Sequence, residues 1–218
     1  MSALALAPPL LLPGPRLHVP DWRPRLARIA GMLLAKNSPT PVTYATWNSG
    51  DKHANITLSL GDLRATNSSG DSSTYAGVRS NIGKSSGKWY WEYTLVTAVD
   101  TMVGANKSSD GLSWPTPGFG TTRMYYNGTG NKYDGASAYG STYTVGDIIG
   151  VKLDKDGDTL ELLKNNTSQG NIDGALSAGT YYAHTVINGG SSSAVNANFG
   201  ASAFTYSVPS GYNAGLYT

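Results

Sequence analysis

Residues 85–95 read Ser-Ser-Gly-Lys-Trp-Tyr-Trp-Glu-Tyr-Thr-Leu, with four aromatic side chains in five consecutive positions behind a small-residue turn. In an extended strand, alternate side chains point to opposite faces. Trp89, Trp91, Tyr93 and Leu95 then share one face, wholly aromatic or aliphatic. Lys88, Tyr90, Glu92 and Thr94 share the other. A helix would set the two tryptophans ~200° apart and leave no stripe, and aromatic residues favour strands. The stretch therefore predicts a strand with one face turned to a core, and ligand contacts have to be sought elsewhere.

The rest of the chain is consistent with a sheet protein. Its 218 residues allow one sizeable core plus an appendage. There are 27 glycines and 14 tyrosines, with many Ser, Thr and Asn, as a turn-rich β protein requires. Cysteine is absent, which excludes disulfides, thiolate catalysis and Cys-ligated zinc. The net charge of +2 is uneven. Residues 1–40 carry five basic side chains (Arg16, Arg23, Arg25, Arg28, Lys36) against one acid, Asp21. Residues 41–218 carry eleven basic and thirteen acidic. The main part thus lacks the basic stripe expected of a nucleic-acid-binding domain.

Three segments follow from composition. Residues 1–20 are rich in Ala, Leu and Pro, with no positive n-region and with Pro8 and Pro9 interrupting the apolar run. They read as an extended arm, too short in apolar length to span a bilayer. Its Leu10, Leu11 and Leu12 suit docking on a partner surface. Residues 21–41 read as a short amphipathic helix and linker. Asp21 is the cap and Pro24 lies in the first turn, and Trp22, Leu26, Ile29 and Leu33 are the expected docking or oligomerising residues. Asn37, Ser38, Pro39 and Pro41 end the helix.

Residues 42–218 alternate short Val/Ile/Thr/Tyr runs with Gly/Asn/Asp/Ser clusters. Strands are predicted at 53–58, 75–79, 88–96, 101–105, 124–126, 148–153, 159–164, 181–187 and 194–199. So many short strands at this spacing predict an antiparallel sandwich.

SGKWYWEY (86–93), VGDIIGVKLDKDGDTLELLKNN (145–166), YYAHTV (181–186), ANFG (197–200) and FTYSVPSGY (204–212) resemble, in order, the motifs of a SPRY domain. The resemblance covers residues 42–218 and implies an all-β, bent antiparallel sandwich of the concanavalin-like class. DKHANITLS (51–59), GKSSGKWYWE (83–92) and GNKYDGASAYGSTYTVGDIIGV (130–151) are further similar to SPRY-like domains of tailed-bacteriophage virion appendages such as tail fibres and head fibres. KSSDGLSWPTPGFGTTR (107–123) departs from the family pattern, and residues 1–40 lie outside it.

Candidate chemistry is sparse. Asp154, Asp156 and Asp158 are spaced like oxygen ligands, but Gly157 precedes the third acid instead of following it, and Asp-Gly between apolar runs signals a hairpin. His18, His53 and His184 are scattered without acids at ligand spacing. Glu92 and Glu161 are the only glutamates, each within a predicted strand, and no nucleophile elbow or phosphate loop appears. No catalytic residue, metal or cofactor is therefore assigned, and no enzyme is expected.

The long loops 106–123, 127–143 and 188–193 are the better candidates, because sandwich scaffolds carry function on loops. Trp114, Phe119, Tyr133, Tyr139 and Asn188 are the expected ligand-binding residues. Aromatic faces beside short polar groups suit sugars or protein surfaces. The resemblance then implies a non-enzymatic phage virion protein, exposed on the particle. Residues 1–40 would bind other virion proteins, the expected state is a trimer, and a host-surface glycan or protein is the partner. The alternative is a cellular SPRY adaptor that binds a peptide.

Overall fold

The computed structural model describes residues 41–97, 100–113, 123–132, 137–172, 175–190 and 193–218, with Gly14. The expected arm with Leu10, Leu11 and Leu12, the helix with Trp22, Leu26, Ile29 and Leu33, and the loop candidates Trp114, Phe119 and Tyr133 lie outside the described residues. The chain divides into two units, Met1–Pro41 and Val42–Thr218, and the described strands belong to the second.

These strands are β1 (Trp47–Lys52), β2 (Ile56–Ser59), β3 (Arg64–Asn67), β4 (Tyr75–Lys84), β5 (Lys88–Leu95), β6 (Thr101–Asn106), β7 (Arg123–Tyr126), β8 (Ile148–Asp154), β9 (Thr159–Lys164), β10 (Thr167–Asn171), β11 (Tyr181–Asn188), β12 (Ala194–Asn198) and β13 (Asn213–Ala214). They form two sheets. One has the order β1-β4-β11-β6-β7, the other β10-β9-β8-β5-β12-β3-β2. Pairing between these strands is antiparallel, except that β13 runs parallel to β5 through Asn213–Trp89 and Ala214–Tyr90. The result is the all-β sandwich that the sequence predicts, with no helix among the described residues. All nine predicted segments contain or overlap strands. β1, β3, β10 and β13 fall outside the predicted segments, because WNSGDK, RATN, TSQGN and NA carry little apolar alternation.

The aromatic stripe lies where its alternation places it. Trp91, Tyr93 and Leu95 are buried in the main core with Trp47, Phe199, Val151 and Ile187. Trp47 stacks parallel to Tyr93 at 5.9 Å and meets Phe199 edge-on at 5.1 Å. Such pairs add about 0.5–1.5 kcal/mol beyond the area they bury. The Tyr93 phenol donates across the core to the Gly104 carbonyl in β6, at 2.9 Å, so one side chain of the larger sheet is tied to the backbone of the smaller. Burial pushes that phenol well above its ordinary pKa. Trp89 sits at the rim. Its indole N–H donates to Ser86 O at 2.7 Å, and the Lys84 ammonium lies 3.6 Å from the ring centre.

The opposite face of β5 is covered as well. Tyr90 and Glu92 are only 1% and 2% exposed. Tyr90 lies over Gly150, where a Cβ would crowd its ring and hydroxyl. Phe204 packs edge-on to Tyr90 at 5.2 Å. The Glu92 carboxylate accepts the Tyr90 hydroxyl (2.9 Å) and the backbone N–H groups of Thr205 (2.8 Å) and Tyr206 (3.0 Å). Glu92 is thus the post to which the segment after β12 is tied.

Two turns lock beside it. Asp154 Oδ1 accepts the N–H groups of Asp156 (3.1 Å) and Gly157 (2.7 Å), and its Oδ2 pairs with Lys88 at 2.8 Å. Asp156 accepts the Gly87 N–H at 2.7 Å, and Lys155 N–H donates to Gly87 O at 2.9 Å. Burial alone would raise the Asp154 carboxyl, but Lys88 and these N–H groups hold it below its ordinary value. The Asp-rich turn is occupied in joining β8 to β9 and to the Ser-Ser-Gly turn. Among the described residues, no three His, Asp or Glu side chains converge as metal ligands.

One turn carries strain. Leu60, Gly61 and Asp62, between β2 and β3, all have left-handed φ (55°, 65° and 60°), and Leu60 is 62% exposed. That conformation costs a side-chain-bearing residue about 1–2 kcal/mol.

Two outcomes are expected in urea unfolding of the full chain. Glu92→Gln turns an amide donor toward N–H donors and lowers stability by about 2–3 kcal/mol. It also exposes residues 199–212 to limited proteolysis. Leu60→Asn raises stability by about 1 kcal/mol; a neutral or lower value would mean that the turn is relaxed.

Candidate binding site

The strand ends sort the loops. Asn67, Leu95, Tyr75, Thr101, Tyr126 and Asn188 lie toward one end of the sandwich, by the registers of β3 with β12, β12 with β5, β11 with β4 and β6, and β6 with β7. Residues 68–74, 100 and 189–190 meet there. Asn67 Nδ2 donates to Thr74 O (3.1 Å) and Ile187 O (2.7 Å), and Gly189 N–H donates to Thr74 O (3.0 Å). Asn188 Nδ2 donates to Ser72 O at 2.6 Å, while its Oδ1 accepts the Gly190 N–H at 2.9 Å. A Cβ at Gly189 would overlap the Ser69 hydroxyl, so only glycine lets the two loops touch.

Polar groups crown this junction. Asp71 accepts from the Ser73 N–H (2.8 Å) and from the hydroxyls of Ser73 (2.8 Å) and Thr74 (2.9 Å). The Ser73 backbone N–H, then these hydroxyls, hold its carboxyl below the ordinary value. Tyr75 donates to Asp100 Oδ2 at 3.1 Å, and Asn188 N–H donates to Asp100 O at 3.0 Å. Burial first, and then the nearby Asp100, pushes the Tyr126 phenol up. Behind these rings Met102, Met124 and Val186 form a second buried cluster, on the sheet face turned away from the main core.

The loop after β6 leaves from the opposite end and is pegged by a buried arginine. Arg79 forks onto Asp51 (Nε–Oδ2 2.7 Å, Nη2–Oδ1 2.8 Å) and donates from Nη1 to the carbonyls of Lys107 (3.2 Å) and Asp110 (2.8 Å). Leu112 O accepts the Gly77 N–H at 2.6 Å. On β11, directly across from Arg79, His184 is buried, and neither of its nitrogens has a hydrogen-bond partner among the described residues. Burial, then the Arg79 charge, pulls its pKa down from 6.5 to about 3. The Asn106 amide is likewise buried without a partner among the described residues.

Of the two described ligand candidates, neither has a free polar group. Tyr139 is half-buried. Its hydroxyl donates to Gly170 O (2.6 Å) and accepts from the Leu162 N–H (3.2 Å), and its ring meets Tyr125 edge-on at 5.2 Å, so it holds its own loop against β9 and β10. Asn188 is buried and joins the two loops at the junction. Tyr143, from the same loop as Tyr139, is a core residue whose hydroxyl donates to Tyr125 O at 2.7 Å. The 68–74 loop, Tyr75, Asp100 and Tyr126 are absent from the sequence-based candidates. The run SSGDSST between two strands was the available signal for the first.

No family model matches the sequence, and no curated protein matches it. The fold, however, is that of solved SPRY domains. The SPRY domain of human HERC1 superposes with a TM-score of 0.56 at 19% identity, over 69% of this chain and 96% of that domain. A second human SPRY domain gives 0.58 at 13% identity, over 75% of this chain and 100% of that one. Stonustoxin matches with 0.55 at 16% identity, over 72% of this chain and 27% of its own. Identities this low show the fold alone.

The buried histidine generates a pH dependence. The unfolded chain takes up the His184 proton near pH 6.5 and the folded chain only near 3, so stability is full above 6.5 and falls as the pH drops. The slope is about 1.4 kcal/mol per pH unit. His184→Gln is expected to remove that slope between pH 6.5 and 5 in urea titrations; an unchanged slope would place the proton elsewhere.

Proposed function

We propose that this protein is a non-enzymatic binding protein whose SPRY-fold sandwich presents the loop end of residues 68–75, 100, 126 and 188–190 to a partner. The observation that carries this reading is the interlocking of the 68–74 and 188–190 loops. It fixes exposed hydroxyl, carboxylate and backbone groups on a rigid platform, and among the described residues no three His, Asp or Glu side chains converge as metal ligands. Such preorganisation lowers the entropic cost of association.

The setting we propose is a tailed-phage virion, with the sandwich outward on the particle as part of a tail fibre, head fibre or decoration. Similarity to virion SPRY-like segments at 51–59, 83–92 and 130–151 supports it. So does the polarity of the chain, with apolar and basic residues gathered in 1–40. Residues 1–40 are the anchor to other virion proteins, residues 42–218 the displayed domain, and the partner is a host-surface protein or glycan. Several copies, a trimer in a fibre, would raise avidity without strong single-site affinity.

Light scattering coupled to size exclusion, on the full chain and on residues 41–218, tests the anchor. The expected result is an oligomer or aggregate for the full chain and a folded monomer for the shorter one. Two clean monomers would remove self-association and favour a peptide-binding cellular adaptor. The platform is tested separately: Ser72→Lys is expected to abolish adsorption of particles while leaving assembly intact, and normal adsorption would make the protein purely structural.

A further inference from the structure

In the smaller sheet β11 lies between β6 and β4. The chain leaves β6 at Asn106 and has reached β4 by Leu112, whose carbonyl accepts the Gly77 N–H, and by Ser113, which bridges to Ala76. Residues 107–112 therefore cross β11, and Arg79 pegs them through the Lys107 and Asp110 carbonyls. Two polar side chains are buried at this crossing, Asn106 at 0% and His184 at 1% exposed. They share a face of the sheet, because Asn106 stands opposite Tyr182 and Gly104 opposite His184. Both imidazole nitrogens and both amide atoms of Asn106 lack a hydrogen-bond partner among the described residues. The two residues are diagonal neighbours, a relation that sets positions about 7–8 Å apart. Gly104, directly across from His184, puts no side chain beside it. On the other flank the imidazole lies over Gly77, where a Cβ would be 2.8 Å from Nε2 and 2.9 Å from Leu112 O. Nε2 and that carbonyl are thus less than about 6 Å apart, a span that one water bridges.

Buried polar atoms without partners are costly, and four of them at one crossing call for a ligand. Their chemistry selects it. A neutral imidazole has one N–H donor and one bare acceptor nitrogen, and an amide likewise has both a donor and an acceptor. Burial and the Arg79 charge keep the imidazole neutral. A metal cation would satisfy only the acceptors, and an anion only the donors. Local charge calls for neither, since Arg79 is already forked onto Asp51. Water donates and accepts, and it is small enough to lie between glycines. We propose that the crossing of residues 107–112 over β11 holds bound water, shared by His184, Asn106 and the Leu112 carbonyl. The loop is then seated on the sheet through water as well as through Arg79. The site lies away from the 68–75 and 188–190 loops and stands whatever they bind.

Two measurements on the full chain test the site. In a crystal structure that resolves ordered solvent, water oxygens are expected within hydrogen-bond distance of both His184 and Asn106; protein atoms in their place overturn the proposal. The second measurement is urea unfolding at a single protein concentration. Asn106→Leu keeps the volume and removes the amide. Were the crossing dry, this change would relieve two orphaned atoms and raise the urea midpoint. With water bound it strands the water and His184, so the midpoint is expected to fall by roughly 0.5 M. An unchanged or higher midpoint overturns the proposal. His184→Phe supplies a second background that separates lost water from poor packing. There the water has already lost a partner, and Asn106→Leu is expected to cost less than about half as much. An equal loss in both backgrounds means poor packing around leucine and overturns the shared water.

Discussion

Both faces of β5 are buried, so polar groups in its middle are pressed to find partners inside the protein, although the Trp91 indole N–H has none among the described residues. Tyr93 on one face and Glu92 on the other meet this demand in different ways. The Tyr93 hydroxyl reaches the opposite sheet and donates to Gly104 O, tying the two layers through a single side chain. The Glu92 carboxylate draws in Tyr90 and two backbone N–H groups, bringing the segment after β12 onto the sheet. An unpaired carboxylate there would be costly, so the segment and the glutamate depend on one another. β13 then continues the β5 edge where β12 leaves it.

This central clamp lets the ends of the sandwich differ. Toward the β5 start, turns bind one another through charged groups: Lys88 with Asp154, and Asp156 with the Gly87 N–H. Arg79 is fully spent on Asp51 and two loop carbonyls. Each of these charges serves closure of the fold. At the other end the loops are held by neutral amides, Asn67 and Asn188, whose bonds to backbone carbonyls are short and within the domain.

The first of these features was legible in the sequence and the others were not. Alternation over 89–95 identified the core face of β5, because period-two burial is a local property. The burial of Glu92 was hidden, since its donors come from Thr205 and Tyr206, over a hundred residues away. β1 and β3 read poorly for a related reason: Trp47 and Ala65 are buried among polar neighbours, and a four-residue strand such as RATN offers too few positions for a pattern. The loop candidates rest on aromatic content. Tyr139 shows the weakness of that criterion, because an aromatic in a long loop also serves to pin it. Trp114, Phe119 and Tyr133 share the same basis and lie outside the described residues.

The loop-end junction is invisible along the chain because its parts come from separate strands. Tyr75 opens β4, Tyr126 closes β7, Asp100 precedes β6 and Asn188 ends β11, and only the register of the smaller sheet sets them side by side. No spacing rule connects four such positions. The Tyr75 phenol also acts on the Asp100 carboxylate itself. A carboxylate facing water would be free to rotate, whereas the phenol donor holds one of its oxygens in place. Met102, Met124 and Val186 hold the Tyr75 and Tyr126 rings from behind, so the smaller sheet has an apolar support of its own beneath the loop end.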